Sequence, residues 1–277
     1  DRDYHIFEEY AYYLVSEARQ KCANHIFKLG GNVYAFDSTT IDLCLSVFWW
    51  AKFRKKKGGI KVHTLYDVET QIPAFFHITE ASVHDSKVMI EIPYEPSSYY
   101  IFDRGYNNFK ILYKIHQIEA YFVVRAKKNL GYKSIQWKRR LPKNVLSDAS
   151  VFLTGFYPKQ YYPEPLRLVK YWDEEQEREF TFITNAMHIS ALQVAELYKN
   201  RWQVELFFKW LKQHLKIKRF WGTTENAVRI QIYAAICAYC LVAIIQHDMQ
   251  LNRSTYEVLQ ILSISLTDKT HLRDLFD

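Results

Sequence analysis

Four polar residues stand at helical spacing in the stretch 198–212, Tyr-Lys-Asn-Arg-Trp-Gln-Val-Glu-Leu-Phe-Phe-Lys-Trp-Leu-Lys. At about 100° per residue, Tyr198, Arg201, Glu205 and Lys212 fall within an arc of roughly 60° on one helix face. Leu197, Val204, Phe208, Leu211 and Leu215 flank that row on one side, with Trp202 and Leu206 on the other. Charges that project from so apolar a surface are costly unless paired. Their types suit phosphate and metal chemistry, with cationic and phenolic donors for anionic oxygen and a carboxylate for hard cations. An intrahelical salt bridge between Arg201 and Glu205 is the plainer reading, although Arg before Glu is the weaker order, worth a few tenths of a kcal/mol.

The elements that must position this row begin with Ser190 and Gln193, which read as a capping box. No Pro or Gly follows as far as Leu215, and the spacing predicts one long helix. Upstream, two short β-favouring runs each deliver an aspartate. Val33-Tyr34-Ala35-Phe36 leads into Asp37 and Ser38-Thr39-Thr40, and Tyr99-Tyr100-Ile101-Phe102 leads into Asp103 and Arg104-Gly105-Tyr106. Each aspartate would sit at the carboxyl end of a buried strand. For Asp37 a turn-forming Asp-Ser pair is the alternative.

Tyr198-x2-Arg201-x3-Glu205-x6-Lys212 resembles the pattern of one group of bacterial insertion-sequence transposases, the insertion-sequence type four family of DDE enzymes. Asp-Arg-Gly-Tyr at 103–106 and Gly-Ile-Lys-x-His at 59–63 are similar to passages of the same family, and the resemblance covers most of residues 33 to 245. It implies a ribonuclease-H-like fold in which Asp37, Asp103 and Glu205 are the catalytic carboxylates. Phosphoryl transfer on DNA needs an activated oxygen nucleophile and a stabilised leaving oxygen. Two Mg²⁺ ions, or Mn²⁺ as substitute, held by those three acids would serve both. Nicking by water and strand transfer by a DNA 3′-hydroxyl would follow, with a DNA hairpin as intermediate. Tyr198, Arg201 and Lys212 would then grip phosphate beside a flipped base, with Trp202 stacking on it. His84, Asp85 and Arg104 are secondary candidates. The partners implied are transposon-end and target DNA, with a homodimer assembled on the DNA. A metal-dependent nuclease that cuts without joining, and a catalytically silent DNA-binding derivative, stand as alternatives.

Along the rest of the chain, residues 4 to 28 have helical spacing. Phe48 to Gly59 mixes aromatics with Arg54, Lys55, Lys56 and Lys57 and reads as a loop, which with Lys61 would hold DNA phosphates. Ile60–Tyr66 and Ile72–Thr79 alternate as two strands, and a helix follows His84-Asp85. Asn108 caps another helix, and 120–125 reads as a further buried strand. This order fits an α/β fold of ribonuclease-H type, a mixed sheet flanked by helices, with a β-rich insertion before the last catalytic helix. The expected division is an N-terminal helical segment at 1–30, a core at 31–125 and 185–250, a β-rich insertion at 126–184 and a tail at 251–277.

Hydrophobic residues at 49% and charged residues at 24% of 277 are ordinary for a globular chain. The net charge of +7 favours a polyanionic partner. Cys22, Cys44, Cys237 and Cys240 give no disulfide framework and suit a reducing, cytoplasmic setting near the nucleoid. The uncharged run 230–246 reads as a core helix. The chain begins at Asp1 in what reads as a helix, so a preceding N-terminal part is expected, as is the absence of an end-recognition domain from these residues.

Overall fold

A computed structural model describes residues 2–23, 27–43, 46–54, 57–214, 220–253, 255–265, 271 and 273–276, without the side chains of 52–54, 57, 213, 214, 255 and 256. Helix α1 (Tyr4–Lys21) opens the chain, followed by β1 (Val33–Leu43), β2 (Lys52–Arg54), β3 (Lys57–Asp67) and β4 (Ile72–Glu80). Next come α2 (Asp85–Val88), β5 (Tyr99–Phe102), α3 (Phe109–Gln117) and β6 (Tyr121–Arg125). A β-rich stretch then gives β7 (Tyr132–Trp137), β8 (Val145–Leu153), α4 (Phe156–Tyr161), β9 (Leu166–Asp173) and β10 (Arg178–Thr184). Helices α5 (Ala191–Asn200), α6 (Trp202–His214), α7 (Glu225–Asp248) and α8 (Thr255–Ser265) complete the order.

All ten strands join one mixed sheet in the order β2-β3-β1-β5-β6-β10-β9-β8-β7, with β4 paired to β3. β1, β5 and β6 run parallel at its centre. Strands buried on both faces must be apolar throughout, and all four residues of β5 are buried. On one face Val33, Ala35, Ile101 and Val123 pack with residues of α1, α5, α6 and α7. On the other, Tyr34, Phe36, Tyr100, Phe102, Phe122 and Val124 pack with Ile111, Leu112 and Ile115 of α3. This is a ribonuclease-H-like sheet flanked by helices, with the β-rich stretch extending the same sheet through β10. Gly31 lets the chain enter β1 beside the turn before β5, since a Cβ there would meet the Ser97 carbonyl oxygen at 1.9 Å.

Four details differ from the sequence expectations. The first helix ends at Lys21 rather than at residue 28, because Cys22 leaves helical backbone geometry. β1 runs past Asp37 to Leu43, since Ser-Thr-Thr-Ile continues pairing with β3 after β5 has ended. Part of the expected basic loop is strand, β2 pairing with the start of β3. The long helix is divided at Arg201, where Arg201 N–H bonds to Tyr198 O at 3.1 Å and Val204 N–H to Arg201 O at 3.2 Å. Those i to i−3 bonds tighten the backbone at the junction of α5 and α6.

α7 is long and apolar enough to cross a membrane by length and composition. In this fold it packs along α1 and buries Val228, Ile232, Ile236 and Cys240.

Candidate active site

The parallel register lines up Phe36, Phe102 and Val124 on adjacent strands, so the residues that follow them, Asp37, Asp103 and Arg125, form a row across β1, β5 and β6. By strand alternation all three face the side covered by α5 and α6. The Ser190–Gln193 capping box forms as expected, with both reciprocal bonds present, and sets the start of α5.

Tyr198, near the end of α5, donates its hydroxyl to Asp103 Oδ1 at 2.8 Å. Arg201, at the helix break, places Nη1 2.6 Å from Asp37 Oδ2 and Nη2 2.5 Å from Glu205 Oε1. Two of the row's members therefore meet the strand-borne aspartates, Tyr198 at Asp103 and Arg201 at Asp37, and the Arg201–Glu205 salt bridge is one half of a larger network. Lys212 lines a recess of about 460 Å³ with Asp37, Ser38 and Glu205. Trp202 is 57% exposed and lines a larger recess, about 680 Å³, together with Asp103, Tyr198 and Glu205.

Burial pushes the Asp37 carboxyl above its ordinary value; Arg201 and the Ser38 N–H oppose this, while Glu205 and Asp103 add like-charge repulsion. Asp103 is held below its ordinary value. Burial alone would raise it, but the Arg104 N–H, the Tyr198 hydroxyl, Arg201 and Arg125 all favour the anion and together outweigh burial. The Tyr198 phenol is pushed up to about 12 by burial and by Asp103.

Asp85 forms a second layer behind Asp37. Its Oδ1 accepts from Ser38 Oγ at 2.8 Å and lies 3.0 Å from Lys61 Nζ. Ser38 N–H in turn donates to Asp37 Oδ1 at 2.8 Å, and the Tyr106 hydroxyl reaches the same oxygen at 3.3 Å. The helix cap is His84, whose Nδ1 accepts from Ser86 N–H, and not Asp85. Lys61 is mostly buried and also donates to Val83 O at 2.8 Å, so it supports Asp37 from behind. Arg104 lies on a separate recess with Arg125. Arg54 and Lys57 are described as backbone of β2 and β3 only, while Lys55 and Lys56 lie outside the described residues.

Arg125 is a site residue that the sequence reading missed. Its Nη1 lies 4.0 Å from Asp103 Oδ1, and its guanidinium stacks 4.8 Å from the Phe180 ring centre. The signal was available, since Ala120 to Val124 is an apolar strand that delivers a polar residue just as those before Asp37 and Asp103 do.

The donor set fits a hard divalent cation by its chemistry: Asp37 and Asp103 stand at the carboxyl ends of central strands, and both Asp103 and the helix-borne Glu205 repel the Asp37 charge. Among the described residues no three His, Cys, Asp or Glu side chains are gathered closely enough to hold an ion in this arrangement. The Arg201 guanidinium lies between Asp37 and Glu205 instead.

Comparison with known proteins gives concordant matches. The family described as "Transposase DDE domain" matches residues 28–241. A chain of Sinorhizobium fredii named as a transposase is 37% identical over 246 residues, 86% of this chain and 67% of its own length. A chain of Geobacillus stearothermophilus, named for the transposase of insertion sequence element IS5377, is 31% identical over 205 residues, 74% of this chain and 54% of its own. A Synechocystis chain named for insertion sequence element IS4SA is 25% identical over 281 residues, covering 97% of this chain and 75% of its own length.

Proposed function

Since this chain belongs to the transposase DDE domain family of insertion-sequence transposases, we propose that it cleaves insertion-sequence ends and joins them to target DNA, with Asp37, Asp103 and Glu205 as the reacting site's carboxylates. The observation that carries the reading is the row of Asp37 and Asp103 on adjacent strands, with Arg201 at the helix junction bridging Asp37 to Glu205. Asp37, Asp103 and Glu205 would hold divalent cations, two Mg²⁺ or Mn²⁺, which when bound offset charge on the leaving oxygen and lower the pKa of the attacking hydroxyl.

In the first reaction a water oxygen bonds to the scissile phosphorus as the bond to the 3′-oxygen breaks. The products are a 3′-hydroxyl and a 5′-phosphate. In the second, that 3′-hydroxyl bonds to a phosphorus of another strand and displaces its 3′-oxygen, which leaves as a hydroxyl. If the second strand is the opposite one at the same end, the product is a hairpin, and cut-and-paste transposition follows from its reopening. Arg201 and Lys212 supply positive charge to the phosphate, Tyr198 holds Asp103 in place, and exposed Trp202 offers a stacking face for an unpaired base. The subgroup pattern Tyr198, Arg201, Glu205 and Lys212 supports this assignment. Assembly as a dimer on DNA, in the cytoplasm at the nucleoid, belongs to the same reading.

The test is joining of precleaved ends to a target plasmid in Mn²⁺ or Mg²⁺, comparing the natural chain with Asp103→Asn. Joined product from the natural chain alone is expected. Cutting without joining would favour the nuclease reading, and DNA binding with neither reaction the silent derivative.

A further inference from the structure

We propose that the recess beyond Asp103 on the α3 face of the sheet is a track for the phosphate backbone of a DNA strand leaving the reacting site. This rests on the transposase reading and extends it to a surface on the other side of the sheet. The recess, about 270 Å³, is lined by Arg104, Arg125, Lys127, Lys128, Lys170 and Tyr132. Among the described residues lining it, the acid is Glu179, which lies 3.7 Å from Lys170 and balances that one cation.

Its position follows from strand alternation. Leu168 packs with the α3 face and Val169 with the α5 and α6 face, so Lys170 points to the α3 side. The larger recess with Tyr198, Trp202 and Glu205 lies on the opposite face, and Arg125 lines both. A strand that meets Asp103 can therefore pass the carboxyl end of β6 at Arg125 and continue along Arg104, Lys127 and Lys128. Lys127 and Lys128 are exposed. Arg104 Nε is buried with no hydrogen-bond partner among the described residues.

The chemistry selects backbone over bases. Closely set cations with little opposing charge bind a polyanion through release of its counterions, whatever its sequence. No Asn or Gln is among the described residues lining the recess, so the side chains that most often read adenine edges are missing from it. Tyr132, 37% exposed, offers a ring at the recess for sequence-tolerant stacking.

The test is DNA affinity across a salt series, measured by fluorescence anisotropy with short duplex and single-stranded oligonucleotides in Ca²⁺. The combined variant Lys127→Ala, Lys128→Ala, Lys170→Ala is compared with Lys21→Ala, Lys114→Ala, Lys159→Ala, which removes equal charge outside the recess. The recess variant is expected to lose on the order of tenfold in affinity and to flatten the slope of log K against log salt by about 2. The combined variant Lys127→Arg, Lys128→Arg, Lys170→Arg is expected to keep both. Equal losses in the two Ala variants, or loss in the Arg variant, would overturn the proposal. So would displacement of the DNA by inorganic phosphate at matched phosphate concentration, which would indicate a small-ion site. Metal-dependent plasmid nicking by the natural chain separates a failure of the track from a failure of the transposase reading.

Discussion

Arg201 lies 2.6 Å from Asp37 across 164 positions of sequence, and the same guanidinium reaches Glu205. One cation thereby neutralises two acids of the candidate site, a task that bound metal ions would otherwise perform. Its pKa is raised despite burial, because Asp37, Tyr198 and Glu205 favour the charged form.

Arg201→Ala is expected to lower stability by roughly 2 kcal/mol, because Asp37 and Glu205 are left facing each other in a partly buried setting. The same variant should bind Mn²⁺ more tightly, by roughly fivefold, since about 1 kcal/mol of competition is removed. Chemical denaturation reads the first effect and calorimetric titration of Mn²⁺ the second. Unchanged or weaker Mn²⁺ binding would show that the carboxylates do not form the ion site.

Asp37→Asn, Asp103→Asn and Glu205→Gln should each reduce strand joining by roughly a thousandfold or more while leaving DNA affinity within a fewfold. Thermal stability in the absence of metal should stay level or rise for Asp37→Asn, whose charged form burial disfavours, and should fall for Asp103→Asn, whose anion the fold favours. A variant that joins DNA at the natural rate would remove that acid from the site.

Asp85 touches Asp37 only through Ser38, so its effect should appear in turnover rather than in DNA binding. Asp85→Ala is expected to cost between about tenfold and a hundredfold in joining rate, the usual scale for residues that orient a metal ligand. Asp85→Asn, which can still accept from Ser38, should recover part of it. Equal loss of DNA affinity in both variants would argue instead for a general structural defect.

The buried pair of Asp148 and Arg167 predicts an acid limit to stability. Arg167 is bidentate to Asp148 at 2.8 Å on both oxygens and also donates to the carbonyls of Ala186 and Ile189, just before α5. Burial opposes ionisation of Asp148, but hydrogen bonds from Arg167 and Lys138 hold its carboxyl below the ordinary value. A depressed folded-state pKa gives stability that is present above the unfolded value and is lost as pH falls through the folded one. Asp148→Asn is expected to cost about 3 kcal/mol at neutral pH and to flatten the acid limb of the pH–stability curve. An unaltered acid limb would assign that limb to other carboxylates.

Much of this arrangement was legible in the order of residues. Val33–Phe36 and Tyr99–Phe102 are apolar and β-favouring, so buried strands delivering Asp37 and Asp103 could be read directly, as could the Ser190–Gln193 cap. What escaped was information held between segments. The extension of β1 beyond Asp37 depends on pairing with β3, and the β2 strand on pairing that a run of cations does not announce. Arg and Trp are sound helix residues, so nothing local marks the break at Arg201. The Asp148–Arg167 pair joins β8 to β9, and neither residue's neighbours betray its partner.

The break between α5 and α6 divides the acids' supports. Tyr198, which holds Asp103, belongs to the helix before the junction, whereas Glu205 belongs to the helix after it. Arg201, at that junction, is tied to Asp37 on the sheet, and Val204, Phe207 and Phe208 seat the second helix in the core. Each acid thus has its own anchor, and the chain turns from one anchor to the other at a single residue.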